Sequence, residues 1–127
     1  MELKKFIEPK PIKIGDKNFF ISKIPAIQAQ QIYGAIMKEC KEDGDLAMTY
    51  LSEETGLSLL TYAAYDQLGE GDSEHLVQLD ASAAVNAYCS DLTTLIELEA
   101  AMIRYNFGFL FDGSLQRVLG VLRDEAI

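Results

Sequence analysis

Hydrophobic and polar residues alternate along the first part of the chain, and the spacing becomes helical after Pro25. The alternating apolar positions lie on both sides of the polar segment 15–18, which contains Gly, Asp and Asn, and they are Ile12, Ile14, Phe19 and Ile21. Alternation of this kind around turn-forming residues is typical of two antiparallel strands. The sequence therefore predicts a β-hairpin over residues 12–24.

Beyond Pro25 the apolar residues recur at three and four positions, as on the buried face of a helix. This spacing predicts four main helices, near residues 26–42, 53–67, 92–106 and 114–125. Ser52 and Asp91 are expected to cap the second and third of these, and Gly56 is expected to weaken the interior of the second. A short helix is expected over residues 83–88, whereas residues 76–79 are too few to classify. The acidic, glycine-rich segment 69–75 is predicted to be a loop.

These elements predict an α+β fold, in which a short N-terminal β-hairpin packs on a mainly α-helical body. A length of 127 residues fits a single domain, 1–127, with one hydrophobic core. The hairpin region is 1–25, and the helical body is 26–127 with the acidic loop 69–75. We expect a hairpin beside a helical bundle, without a central multi-stranded sheet.

The charge of the chain narrows the possible partners. Six lysines against three acids give residues 1–23 a net charge of +3, so the remainder carries −12 of the total of −9. A net negative charge repels phosphate backbones, and we therefore expect no binding to nucleic acid. No segment has the length and apolarity of a membrane span, and residues 1–9 lack the apolar run of a secretory signal. We expect a cytoplasmic protein without membrane contact.

The sequence offers little for catalysis. His75 is the only histidine and lies in the acidic loop, where nothing nearby would orient it. The acids between residues 66 and 74 lack the ligand register of a calcium loop, and no phosphate-binding glycine motif occurs. Cys40 and Cys89 fall within helical patterns and are expected to be buried free thiols. We therefore expect no enzyme activity, no cofactor and no metal.

Residues 91–127 have more apolar surface than one helix face needs, which indicates self-association. Glu99 and Asn106 fall on the apolar arc of the third main helix. A buried carboxylate needs a partner, either within the fold or from another subunit. The nearby aromatic residues suit either the core or a binding surface. The candidate contact residues are Leu95, Glu99, Met102, Ile103, Tyr105, Phe107, Phe109 and Phe111.

The order of these pieces resembles the tail assembly chaperones of long-tailed bacteriophages. The resemblance rests on three passages, Lys13-Ile14-Gly15-Asp16-Lys17, Ile24-Pro25-Ala26-Ile27-Gln28-Ala29-Gln30 and Arg104-Tyr105-Asn106-Phe107-Gly108-Phe109. It implies a non-enzymatic chaperone that binds the tape-measure protein and helps recruit tail-tube subunits. It also implies self-association, location in the cytoplasm of the infected bacterium, and absence from the mature virion.

A second interpretation belongs to a different class. An acidic inhibitor that mimics nucleic acid would occupy a DNA-binding protein, and the net charge of −9 suits such a role. That inhibitor would present carboxylates in rows like those of a duplex. The acids here are scattered through loops and helix ends, so we favour the chaperone.

Overall fold

The computed structural model describes residues 6–41, 51–69 and 75–108. Within these ranges the chain forms four strands, which make up one sheet, and four helices. In chain order they are β1 Ile7–Ile14, β2 Lys17–Lys23, α1 Ala26–Lys41, α2 Glu53–Leu60, β3 Ala63–Asp66, β4 Leu76–Gln78, α3 Ser82–Tyr88 and α4 Leu92–Phe107. The α+β class and the N-terminal hairpin are therefore confirmed.

The hairpin of β1 and β2 turns more tightly than the sequence suggested. Ile12 lies opposite Phe19 and Ile14 opposite Lys17, so only Gly15 and Asp16 form the turn. Gly15 has a φ of 61°, a left-handed conformation that glycine adopts without steric cost. The two residues after the turn, expected to belong to it, are the start of β2 instead.

Strand β1 begins five residues earlier than predicted and contains a bulge. Between the pairs Ile7 with Lys23 and Lys10 with Ile21, β1 advances by three residues while β2 advances by two. The extra residue falls at Glu8, whose φ of 47° is unusual for a side chain other than glycine. The two prolines of β1 are tolerated because this strand lies at the edge of the sheet.

The sheet has four antiparallel strands in the order β1-β2-β3-β4, which corrects two predictions. The helix predicted over 53–67 ends at Leu60, and the expected absence of a multi-stranded sheet is wrong. Strand β3 pairs with the free edge of β2, with Phe20 opposite Ala64 and Ile21 opposite Ala63. Both alanines are completely buried, one on each face of the sheet. Pairing of the open edge overrides the helical preference of alanine.

The other helices agree with the sequence pattern within the described residues. Helix α1 extends to Lys41, where the described part of it ends, and α3 forms where a short helix was expected. The Ser52 side chain accepts a hydrogen bond from Thr55 N at 3.1 Å, and Asp91 Oδ1 accepts one from Thr94 N at 2.7 Å. Both predicted N-caps are therefore confirmed. The helix predicted over 114–125 and most of the loop 69–75 lie outside the described residues.

The main core lies between one face of the sheet and the helices. Helix α4 packs across β1 and β2 and against α2, while α2 also contacts α1. The largest completely buried side chains of this core are Phe19, Leu59, Leu60, Leu79, Leu98 and Met102. The opposite face of the sheet has a smaller apolar cluster of Phe6, Ala64 and Leu76 with Phe20 packed against it. None of the helices in the described ranges has both the length and the apolarity that a membrane crossing requires.

Candidate interaction site

The structure places most of the candidate contact residues of α4 inside the chain's own fold. Met102 has no exposed surface, and Ile103 and Phe107 are 6% and 4% exposed. Leu95 and Tyr105 are half-buried, and the two remaining candidates, Phe109 and Phe111, lie outside the described residues. Three elements of the same chain, β1, β2 and α2, contact this helix, so its wide apolar surface does not by itself require a second subunit. Within α4, the large apolar side chain left exposed is Leu92, at 61%.

Glu99 is buried, as its place on the apolar arc indicated, with only 5% of its surface exposed. Within the described ranges it makes no hydrogen bond and no ion pair, so the partner expected for it is not found there. Burial raises the pKa of its carboxyl to about 7. A buried carboxyl that lacks a cation becomes easier to protonate, because the neutral form costs less to desolvate.

The Glu99 carboxyl explains the glycine in the middle of α2. A side-chain carbon added at Gly56 would lie 2.9 Å from Glu99 Oε2. Cys89, at the end of α3, is also buried near this carboxyl, and burial raises the pKa of its thiol to about 11. The free thiol predicted for Cys89 is confirmed, while the side chain of Cys40 is outside the described part.

Asn106 joins the last turn of α4 to the junction between β2 and α1. Its Oδ1 accepts a hydrogen bond from Ile24 N at 2.7 Å. Its Nδ2 donates to Ser22 O at 3.1 Å and to Met102 O at 3.0 Å. The polar residue on the apolar arc of α4 is thus satisfied by backbone groups of the hairpin exit.

Tyr105, the preceding residue, is held against the hairpin by contacts with three hairpin residues, Glu8, Lys10 and Lys23. Its hydroxyl donates to Glu8 O at 2.6 Å, at the bulge of β1. Lys23 Nζ donates to Tyr105 O and lies 4.1 Å from the centre of the ring, and Lys10 Nζ lies 5.6 Å from the same centre. A cation near the C-terminus of a helix is favourable, because the last carbonyls lack helical partners.

A groove of about 600 Å³ lies between β1 and α4, beside Tyr105. We call it the β1–α4 groove. Its sides are formed by two sets of residues, an apolar set of Ile12, Ile14, Ile21, Ala101 and Tyr105 and a charged set of Lys10, Lys13, Arg104 and Glu97. The four charged residues are exposed, whereas the apolar residues are buried or half-buried. An apolar floor with a polar rim is typical of a protein-binding surface.

A second cleft, of about 640 Å³, lies between α1 and α2 and is less suited to a partner. Its charged side chains are mixed in sign, with Lys38 beside Glu39 and Glu54. Glu39 Oε1 already accepts hydrogen bonds from Ser52 N at 3.1 Å and from Thr55 Oγ1 at 3.2 Å. The hydrogen bonds of Glu39 therefore join α1 to the start of α2, and this side chain serves the fold rather than a partner.

The β1–α4 groove was not found from the sequence. The excess of lysines in residues 1–23 could have indicated a basic surface there, since Lys10 and Lys13 of the groove belong to this segment. Arg104 gave no such signal, because its proximity to these lysines depends on how α4 packs on the sheet. Of the predicted contact residues, the groove includes Tyr105 alone. In the described part of the chain, no three His, Cys, Asp or Glu side chains gather where they could hold a metal ion.

Comparison of the chain with protein-family models, with curated proteins and with solved structures finds no match.

Proposed function

We propose that this protein is a non-enzymatic tail assembly chaperone of a long-tailed bacteriophage. In this role it binds the tape-measure protein and helps recruit tail-tube subunits. It acts in the cytoplasm of the infected bacterium and is absent from the mature virion. The observation that supports the proposal most is the β1–α4 groove, which presents apolar side chains together with Lys10, Lys13 and Arg104.

The passages that carry the family resemblance lie next to one another in the fold. Lys13, from the first passage, and Arg104, from the third, both line the groove. Ile24, which begins the second, is bonded through its backbone N–H to Asn106 of the third. The first and third passages therefore meet at the groove, and the second is bonded to the third beside it.

The groove also suits reversible binding of a protein chain. A chaperone must release its client, so moderate apolar contact combined with charge is more suitable than a large dry interface. The exposed cations would attract and orient a client, while the half-buried side chains of Ile12 and Ala101 offer the apolar contact. Self-association remains part of the proposal, but Met102, Ile103 and Phe107 are occupied within the fold.

Coexpression with the adjacent downstream reading frame, followed by copurification, tests this function. The proposal predicts that a long helical tape-measure protein copurifies with the wild-type chain. It also predicts that Arg104→Glu weakens recovery, whereas Lys38→Glu, an exposed change on α1 outside the groove, does not. Recovery of a DNA-binding protein instead would support the acidic inhibitor. Failure to recover any protein would contradict the chaperone.

A further inference from the structure

We propose that the β1–α4 groove binds an acidic segment of a partner protein, with carboxylates against Lys10, Lys13 and Arg104. The inference rests on the proposed function, because it names the chemistry of the client segment that occupies the same surface. It is carried by the charge balance of the groove, by the position of Lys10 beside the Tyr105 ring, and by the place of Glu97, the carboxylate among the described lining residues.

The charge balance of the groove is opposite to that of the protein. The chain has a net charge of −9, yet among the described residues that line the groove, three of the four charged ones are cations. Within the described ranges, Lys10, Lys13 and Arg104 form no ion pair with a carboxylate. Clustered like charges repel one another, and an acidic ligand removes that repulsion.

One cation of the groove is positioned before any ligand arrives. Lys10 Nζ lies 5.6 Å from the centre of the Tyr105 ring, and Lys23, which lies outside the groove lining, holds that ring from the other strand of the hairpin. The ring itself is anchored through its hydroxyl to Glu8 O. Positioned charges lose less side-chain entropy on binding than free ones, so they favour a defined ligand.

The charged residues of α4 give the groove a direction. Glu97 and Arg104 are seven residues apart and both line it, which separates them by about 10 Å along the helix axis. Carboxylates of a ligand are therefore favoured at the Arg104 end and disfavoured near Glu97. Between these ends, the half-buried side chains of Ile12 and Ala101 provide apolar contact for side chains that alternate with the acids.

A protein segment fits these features better than nucleic acid does. A phosphate backbone carries charge along its whole length and would meet the acidic remainder of this chain outside the groove. The Tyr105 ring, the aromatic side chain of the groove, already faces two lysines and is not free to stack on a base.

The binding experiment uses a fluorescent synthetic peptide in which glutamate alternates with valine, and a control peptide in which glutamine replaces glutamate. Fluorescence anisotropy with the full chain at low salt should show binding of the glutamate peptide and much weaker binding of the glutamine peptide. Arg104→Glu should weaken the affinity about tenfold, and Glu97→Gln should strengthen it about twofold. Lys38→Glu is the matched control and should leave the affinity unchanged.

Three results of the binding measurements would overturn the inference. They are equal binding of the two peptides, an unchanged affinity in Arg104→Glu, and tighter binding of a DNA duplex that the same variant abolishes. A change in oligomer mass in Arg104→Glu, with no peptide binding by the wild type, would assign the groove to a second copy and also overturn it. Arg104 is exposed, so its variants keep the fold, and a thermal melt verifies this.

The inference and the proposed function can fail separately. Loss of peptide binding in Arg104→Glu, while the tape-measure protein still copurifies with that variant, supports the acidic ligand but moves the client to another surface. Copurification of the tape-measure protein by a wild-type chain that binds neither peptide overturns the acidic ligand and leaves the chaperone standing.

Discussion

Asn106 and Ile24, which are 82 positions apart in the chain, are joined by a 2.7 Å hydrogen bond from the backbone N–H of Ile24 to Asn106 Oδ1. The same side chain donates to Ser22 O and Met102 O. Through this one residue, the end of α4 fixes the point where the hairpin leaves the sheet and α1 begins.

We expect Asn106→Leu to destabilise the fold by about 2–4 kcal/mol. The leucine has a similar size but leaves the Ile24 N–H and the Ser22 carbonyl without their partners in a part-buried site. Urea unfolding monitored by circular dichroism measures the change. Thr93→Val on the exposed side of α4 serves as a control and should cost less than about 1 kcal/mol. Equal losses for the two variants would contradict the role of Asn106.

Two glycines in helices should respond differently to alanine. Gly34→Ala in α1 meets no atom within 4 Å and should stabilise the protein by about 0.5–1 kcal/mol. Gly56→Ala in α2 forces the Glu99 carboxyl to move from a contact of 2.9 Å, so this gain should be absent or reversed. Thermal melts of both variants test the difference. Stabilisation of equal size at both positions would show that Glu99 does not hold the space beside Gly56.

Glu99 should make stability depend on pH. Its pKa is raised from 4.5 to about 7, so the folded state binds a proton that the unfolded state releases between these values. Raising the pH through this window therefore lowers the free energy of unfolding, and above about pH 7 the loss is complete. We expect this loss in the free energy of unfolding to be about 2 kcal/mol, after allowance for residual contact of the carboxyl with solvent.

The matched variant for this effect is Glu99→Gln, which keeps the shape and removes the titration. The difference in melting temperature between variant and wild type should be small near pH 5 and should favour the variant at pH 8. Subtraction of the two curves cancels the titration of the other carboxyls. If the difference in melting temperature were constant from pH 5 to pH 8, the pKa of Glu99 would not be raised by burial.

Local pattern predicted the hairpin and most helix boundaries, because those elements depend on residues close in sequence. It failed at residues 61–67. Ala63 and Ala64 favour a helix by propensity, but in the fold they belong to β3, which pairs with the open edge of β2. That pairing is set by the tertiary fold and is invisible to periodicity. The buried position of Glu99 was predictable from its helical arc, whereas the Gly56 contact was not.

The β1–α4 groove could not be predicted for a similar reason. Lys23 and Tyr105 are 82 residues apart, and their contact depends on the packing of α4 on the sheet. The sequence indicated a basic N-terminal region and an α4 rich in apolar residues. Of the contact residues that it predicted, however, the fold buries Glu99, Met102, Ile103 and Phe107. A small domain uses such apolar residues first for its own core.

The central claim is that a client protein binds at the β1–α4 groove, and amide hydrogen exchange of the copurified complex tests it most directly. The account predicts that binding slows exchange in residues 10–14 of β1 and in residues 101–107 of α4. Residues 26–38 of α1 should be unaffected. Slower exchange confined to α1 and α2, with β1 and α4 unchanged, would contradict the account.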